Sequence, residues 1–194
     1  MSQLQVILAS TRPGRVGLPV FNWFNAHAER HGAFEVDPVD LAELALPFMD
    51  EPKHPRLQQY EHQHTKDWSA RVDAADAFVF VTPEYNHSFN APLKNAIDFL
   101  HTEWAHKPVG FVSYGGIAAG TRAMQALKPV VGALRMTAVV EAVNIPFVAQ
   151  FVGEDGEFRP NDVLDQAADA MLSELSRVEA ALRSLRVSAT TSAG

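Results

Sequence analysis

The sequence predicts an α/β domain: a five-stranded parallel sheet with helices on both faces. Two observations carry this. Short apolar, branched runs alternate five times with longer stretches of helical apolar spacing, and right-handed crossovers between parallel strands put a helix layer on each side of the sheet. The 194 residues suffice for one such core and are few for two.

Residues 4–9 (LQVILA) are a short apolar run suited to a buried strand. The polar, cationic, glycine-containing stretch 10–17 follows as a loop, and apolar residues return at helical spacing over 18–30. Residues 34–39 read as the second strand, 57–72 as an amphipathic helix and 77–81 as a third strand buried on both faces. A helix over 92–100 opens on Pro92, where a missing N–H does no harm. The fourth strand, 109–113, leads through a glycine-rich loop at 114–120 to a helix ending near 135; 137–143 makes the fifth strand. A long helix over 162–185 closes the chain, capped by Asn161 or Asp162. Between 40 and 55, Pro47, Pro52 and Pro55 oppose helix, and irregular connections of that length serve as lids or subunit contacts. One domain is expected over 1–186, with a frayed polar tail over 187–194.

Composition narrows the function. Sixteen basic against 23 acidic residues give a formal net charge of -7, so no summed positive field draws a nucleic acid backbone or an anionic bilayer, and neither is an expected partner. There is no cysteine, which removes thiol redox chemistry, Fe–S clusters and Cys-ligated zinc; any redox work falls to a bound cofactor. The first residues read as a strand and not as a signal sequence, and no apolar stretch reaches spanning length, so a cytoplasmic location is expected.

In an open parallel sheet the ligand sits outside the carboxyl ends of the strands, where the strand order reverses. The loop after the first strand, Ser10-Thr11-Arg12-Pro13-Gly14-Arg15-Val16-Gly17, offers two hydroxyls, two guanidinium groups and the free amides of the following helix. That set suits a phosphate dianion. The loop matches neither G-x-x-x-x-G-K-[ST] nor G-x-G-x-x-G, which favours a terminal monophosphate over a triphosphate or a dinucleotide. After the third strand, Thr82-Pro83-Glu84-Tyr85-Asn86 can read a flat heteroaromatic with backbone groups flanked by Tyr85. After the fourth, Ser113-Tyr114-Gly115-Gly116 lets backbone approach a ring closely, and the amides entering the next helix can stabilise negative charge. The plainer readings are a capped helix with solvated arginines, a polar turn and a tight turn.

These three loops, with Leu93-Lys94-Asn95-Ala96-Ile97-Asp98 behind the second, resemble those of the NADPH-dependent FMN reductase family, over roughly 4–143. The Pro-Glu-Tyr-Asn motif is the specific part. The resemblance implies a flavodoxin-like three-layer sandwich of strand order 2-1-3-4-5, noncovalent FMN, NADPH as reductant, and a homodimer or dimer of dimers (a homotetramer). By matching position it implies that Ser10, Arg12, Arg15, Val16, Gly17 and Leu18 hold the phosphate. Pro83, Glu84, Tyr85 and Asn86 would frame the ring, together with Ser113, Tyr114, Gly115 and Gly116. One departure stands out: family loops often end in a serine and an asparagine, where this chain has Gly17 and Pro19, so backbone amides are expected to replace the lost hydroxyls.

The function expected is an NAD(P)H-dependent FMN oxidoreductase passing electrons to a quinone, azo compound, metal oxyanion or flavin. No catalytic side chain is required, because the hard chemistry belongs to the cofactor. Glu84 is read as an ion-pair partner across a subunit contact, not a general base. His54, His62 and His64 are read as a solvated polar face, since i and i+2 point to different sides of a helix; no metal is expected. The alternatives are a flavodoxin-type FMN carrier without nicotinamide activity and a flavin-free enzyme on the same scaffold.

Overall fold

The strand and helix periods of the sequence resolve, in a computed structural model that describes residues 1–191 and side chains through Arg186, into one sheet between two helix layers. The strands are β1 (Gln3–Leu8), β2 (Glu35–Asp40), β3 (Ala77–Pro83), β4 (Pro108–Tyr114), β5 (Thr137–Ala138) and β6 (Val143–Ile145). The path runs β2-β1-β3-β4-β5, every pairing parallel, with β6 also on β4. This is the flavodoxin-like order expected.

Side-chain alternation along each strand builds two cores. On one face Leu4, Val6 and Leu8 join Val79 and Val81 against α1 (Gly17–His31) and the last helix, α6 (Asp162–Thr191). On the other, Ile7, Phe78, Phe80 and Phe111 meet α3 (Gln63–Ala74), α4 (Ala91–Asp98) and α5 (Thr121–Ala133). β3 and β4 are buried at every residue, which is why they read as unbroken apolar runs. Pro38 sits in β2 because that strand is the sheet edge, where a missing donor is tolerated.

Three boundaries depart from the sequence reading. The fifth strand is split: Val109 and Val112 of β4 face Ala138 and Val143, so it carries two more residues than its neighbour over that span. The surplus bulges out and leaves Val140 exposed. The helix expected from residue 57 starts at Gln63, because Gln58 turns left-handed after a short 3₁₀ turn (Pro55–Leu57) and the Glu51 carboxylate accepts from the Glu61 and His62 amides. The connection after β2 opens with a short helix, α2 (Leu41–Leu44), whose first amides Asp40 caps at Ala42 N.

At the chain's end, Asn161 caps α6 as read, accepting from Leu164 N at 3.1 Å. The helix backbone continues past Leu185 to Thr191, into the stretch expected as a tail; residues 192–194 lie outside the described residues. Among the described residues no helix is long and apolar enough to cross a membrane.

Candidate functional site

The parallel register brings the ends of β1, β3 and β4 side by side, and with them the three loops singled out by sequence. Direct contacts tie them together. Asn90 Nδ2 donates to the Ala9 carbonyl at 2.6 Å, joining the third-strand loop to the end of β1. Glu84 N donates to the Tyr114 carbonyl at 3.1 Å, joining it to the fourth.

In the first loop the two arginines have different fates. The Arg15 guanidinium forks onto both oxygens of Asp40 at the end of β2, and also donates to the Ser10 carbonyl at 2.5 Å. It is a strut from the loop to the second strand. Arg12, like Thr11, stays exposed, and among the described residues its guanidinium makes no hydrogen bond or ion pair. Ser10 is buried beneath them. α1 begins at Gly17 after Val16, with no capping side chain and no acidic residue in its first turn. Among the described residues no side chain caps its first amides, which carry the positive end of the helix dipole beside the half-exposed Val16 and Leu18.

The third-strand loop leaves Pro83 buried and turns sharply. Tyr85 and Ser88 exchange backbone hydrogen bonds at 2.8 and 3.0 Å around Asn86 and His87, both at positive φ (50° and 66°). Two adjacent non-glycine residues in the left-handed region are strained, and such strain concentrates where a loop must hold a shape for a ligand. Tyr85 stands 39% exposed at the rim. The Glu84 carboxylate pairs with Arg122 of the same chain at 2.7 Å and accepts from Arg122 N at 3.2 Å, bracing the start of α5.

In the fourth-strand loop Ser113 is fully buried and bonds the Ala119 carbonyl at 2.9 Å, with Asn144 Oδ1 at 2.8 Å, so it shapes the loop from inside. Gly120 caps α5 at φ 77°, and a β-carbon there would meet Tyr114 N at 2.6 Å. The Gly115 and Gly116 carbonyls accept from Val148 N and Phe147 N. A β-carbon on Gly116 would meet nothing within 4 Å, which marks the open side of the cleft. Tyr114 does not line that opening. Its ring is buried under α1, and burial raises the phenol's pKa, eased by the nearby Ser10 hydroxyl and opposed by Arg15's charge.

A cavity of about 610 Å³ adjoins the first loop at Thr11 and runs between α2, the segment 45–48 and the start of α4. Its walls are mainly apolar, from Leu41, Leu46, Pro47, Phe48 and Pro92. Asn95 holds the segment in place through the Pro47 carbonyl (2.7 Å) and Met49 N (3.1 Å).

The NADPH-dependent FMN reductase family model matches residues 3–150, a span that takes in all three loops and their helices. The chain belongs to this family. It is 41% identical over 136 residues to an NAD(P)H-dependent FMN reductase of Schizosaccharomyces pombe, covering 69% of this chain and 68% of that one. It is 32% identical to the NAD(P)H-dependent FMN reductase ntnL of Nectria sp, over 95% and 94% of the two chains. In fold it resembles the flavoenzyme NAD(P)H:(acceptor) oxidoreductase FerB of Paracoccus denitrificans, at TM-score 0.74 and 20% identity, covering 92% and 97%.

The residues present fit the family's cofactor. An uncapped helix start beside an unpaired guanidinium is a donor set for a phosphate, and the Tyr114 hydroxyl, buried and without a hydrogen-bond partner, ends under the same turn. Sequence reasoning did not single out Asp40, Arg122 or Asn90. Arg122 carried a usable signal, since a cation in a helix's first turn opposes the dipole and calls for an acidic partner. Asp40 and Asn90 carried none, because their contacts exist only once β2 and β3 flank β1. The histidine reading also changes: His62 precedes α3, so the spacing rule does not apply, and its ring stacks on His64 with centroids 5.2 Å apart beside Asp50.

Proposed function

We propose that this chain is an NAD(P)H-dependent FMN oxidoreductase whose cofactor lies across the ends of β1, β3 and β4, and whose electrons go on to a quinone, azo compound, metal oxyanion or free flavin. One observation carries the site: the start of α1 presents unpaired amides and the free Arg12 at the strand end where two other family loops converge. FMN, when bound, supplies two-electron chemistry between a reduced nicotinamide and a second substrate.

The chain's own residues bind and orient. Arg12 and the amides around Val16, Gly17 and Leu18 hold the phosphate, with Ser10 below. Arg15 acts at one remove, fixing Ser10's backbone through its fork on Asp40. Pro83, Glu84, Tyr85 and Asn86 present a rigid turn to one edge of the ring, and Gly115 and Gly116 let backbone close on another. Glu84 contributes shape, since its carboxylate is taken by Arg122. No side chain is asked to move a proton, so a single open site serves donor and acceptor in turn.

A homodimer or dimer of dimers is part of the proposal. Phe48, Met49 and Leu57 are exposed on the segment after α2, an apolar surface suited to a second copy. A cytoplasmic location accords with the same reading.

Anaerobic addition of NADPH to the FMN-loaded protein tests the activity. The flavin absorbance should bleach and return on adding a quinone. Flavin that stays oxidised under excess NADPH would favour an electron carrier, and protein that takes up no FMN would favour a flavin-free enzyme.

A further inference from the structure

The phenol of Tyr114 ends under the turn that would hold the phosphate. Its ring leaves β4 toward α1 and lies in the core that also holds Leu8, Val20 and Phe21. The hydroxyl ends beneath the first turn of that helix, where a β-carbon on residue 17 would lie 2.1 Å from Oη and 2.9 Å from Cζ. Gly17 is therefore required by a close approach, since any side chain there would displace the phenol. The hydroxyl is sealed from solvent and has no hydrogen-bond partner. A buried hydroxyl left unpaired costs stability, where phenylalanine would not, so its presence under the loop asks for a reason. Its polar neighbour is Ser10, whose hydroxyl eases the phenol's ionisation although no hydrogen bond joins the two. Ser10's backbone is itself pinned by Arg15.

We propose that Tyr114 is a positioning residue for the anionic end of the flavin, donating its proton to Ser10 Oγ so that Ser10's own proton is directed at the phosphate. The inference rests on the FMN reading. A hydroxyl that accepts a hydrogen bond is a better donor, and an anion held above Ser10 draws that hydroxyl's proton. The consequence is specificity: the pair of hydroxyls acts on the phosphate alone and so separates FMN from riboflavin, which has the same ring and ribityl chain.

Flavin fluorescence titrations of the wild type, Tyr114→Phe, Ser10→Ala and the double variant, each with FMN and with riboflavin, test this, together with melting of the flavin-free proteins. Tyr114→Phe should weaken FMN about fivefold, the effect of one ordinary hydrogen bond, leave riboflavin unchanged, and not lower the melting temperature. Ser10→Ala should weaken FMN at least as much, with nothing added by the second substitution. A tyrosine that only fills the core would keep its packing as phenylalanine and leave FMN affinity unchanged; that result, or a loss shared equally by FMN and riboflavin, overturns the proposal. Wild-type protein that binds neither flavin would instead bring down the FMN reading, and this inference with it.

Discussion

The two ends of the sheet handle polar groups in opposite ways. At the amino end Glu179 is 2% exposed, yet its carboxylate receives Arg183 at 2.6 Å, Arg186 at 2.5 Å and the Ser2 hydroxyl at 3.2 Å. Arg186 goes on to Asp76 and the His106 carbonyl. Lys107, equally buried, donates to the Val72 and Asp73 carbonyls at the end of α3. At the carboxyl end Arg12 is unpaired, α1 is uncapped and Tyr114 holds an unpaired hydroxyl. A cavity of about 480 Å³ at the amino end is lined by Ser2, Asp76, Glu179 and Arg183, so polarity and volume alone do not mark a site. What distinguishes the carboxyl end is donors left without acceptors.

The contrast can be broken most forcefully at the amino end. Glu179→Ala leaves the largely buried Arg186 without its nearest carboxylate and should cost about 3 kcal/mol of stability by urea denaturation, with flavin affinity unchanged. A matching loss of FMN affinity would show that the two ends are not independent. The two arginines hold the Glu179 carboxyl below its ordinary range against the opposing effect of burial. Its contribution is therefore present above the unfolded carboxylate pKa and lost as pH falls through the lower folded value.

Lys107 gives the opposite sign. Burial pushes its pKa down to about 8 from 10.5, so between those values the unfolded chain binds more protons and stability rises with pH, by about 3 kcal/mol in all. Denaturation midpoints from pH 7.5 to 10.5 should climb in the wild type and lose this climb in Lys107→Met.

At the carboxyl end Arg12→Ala should weaken FMN about tenfold or more, the loss of a charge-assisted hydrogen bond. Melting of the flavin-free protein should not move, because the side chain has no partner to lose. A fall in melting temperature with intact affinity would make Arg12 structural and erase the contrast. The smallest effect belongs to Glu84→Gln. Its pairing with a half-exposed Arg122 is worth less than about 1 kcal/mol, and retained anaerobic reduction by NADPH would confirm that Glu84 is not a base.

Much of this was legible in the chain because parallel strands buried on both faces leave unbroken apolar runs, as in residues 77–81, and because the three loops stand out against them. The bulge in the fifth strand was not, since Val139, Val140 and Val143 read as one run and the surplus shows only against β4. Composition put two arginines in the first loop, but which of them is free depends on Asp40, carried by the adjoining strand. Tyr114 was assigned to the ring by its motif; strand alternation sends it instead to the α1 face, under Gly17. Motif position located the loop, and side-chain direction required the fold.

In the proposed reading an FMN phosphate seats on the start of α1 while the ring crosses to the β3 and β4 loops. A crystal structure of the FMN complex tests it most directly. Phosphate oxygens should lie within hydrogen-bond distance of Arg12 and of the amides at 16–18, with the ring against Pro83–Asn86 and Gly115–Gly116. Flavin seated instead in the apolar cavity between α2 and α4, with Arg12 still in solvent, would contradict it.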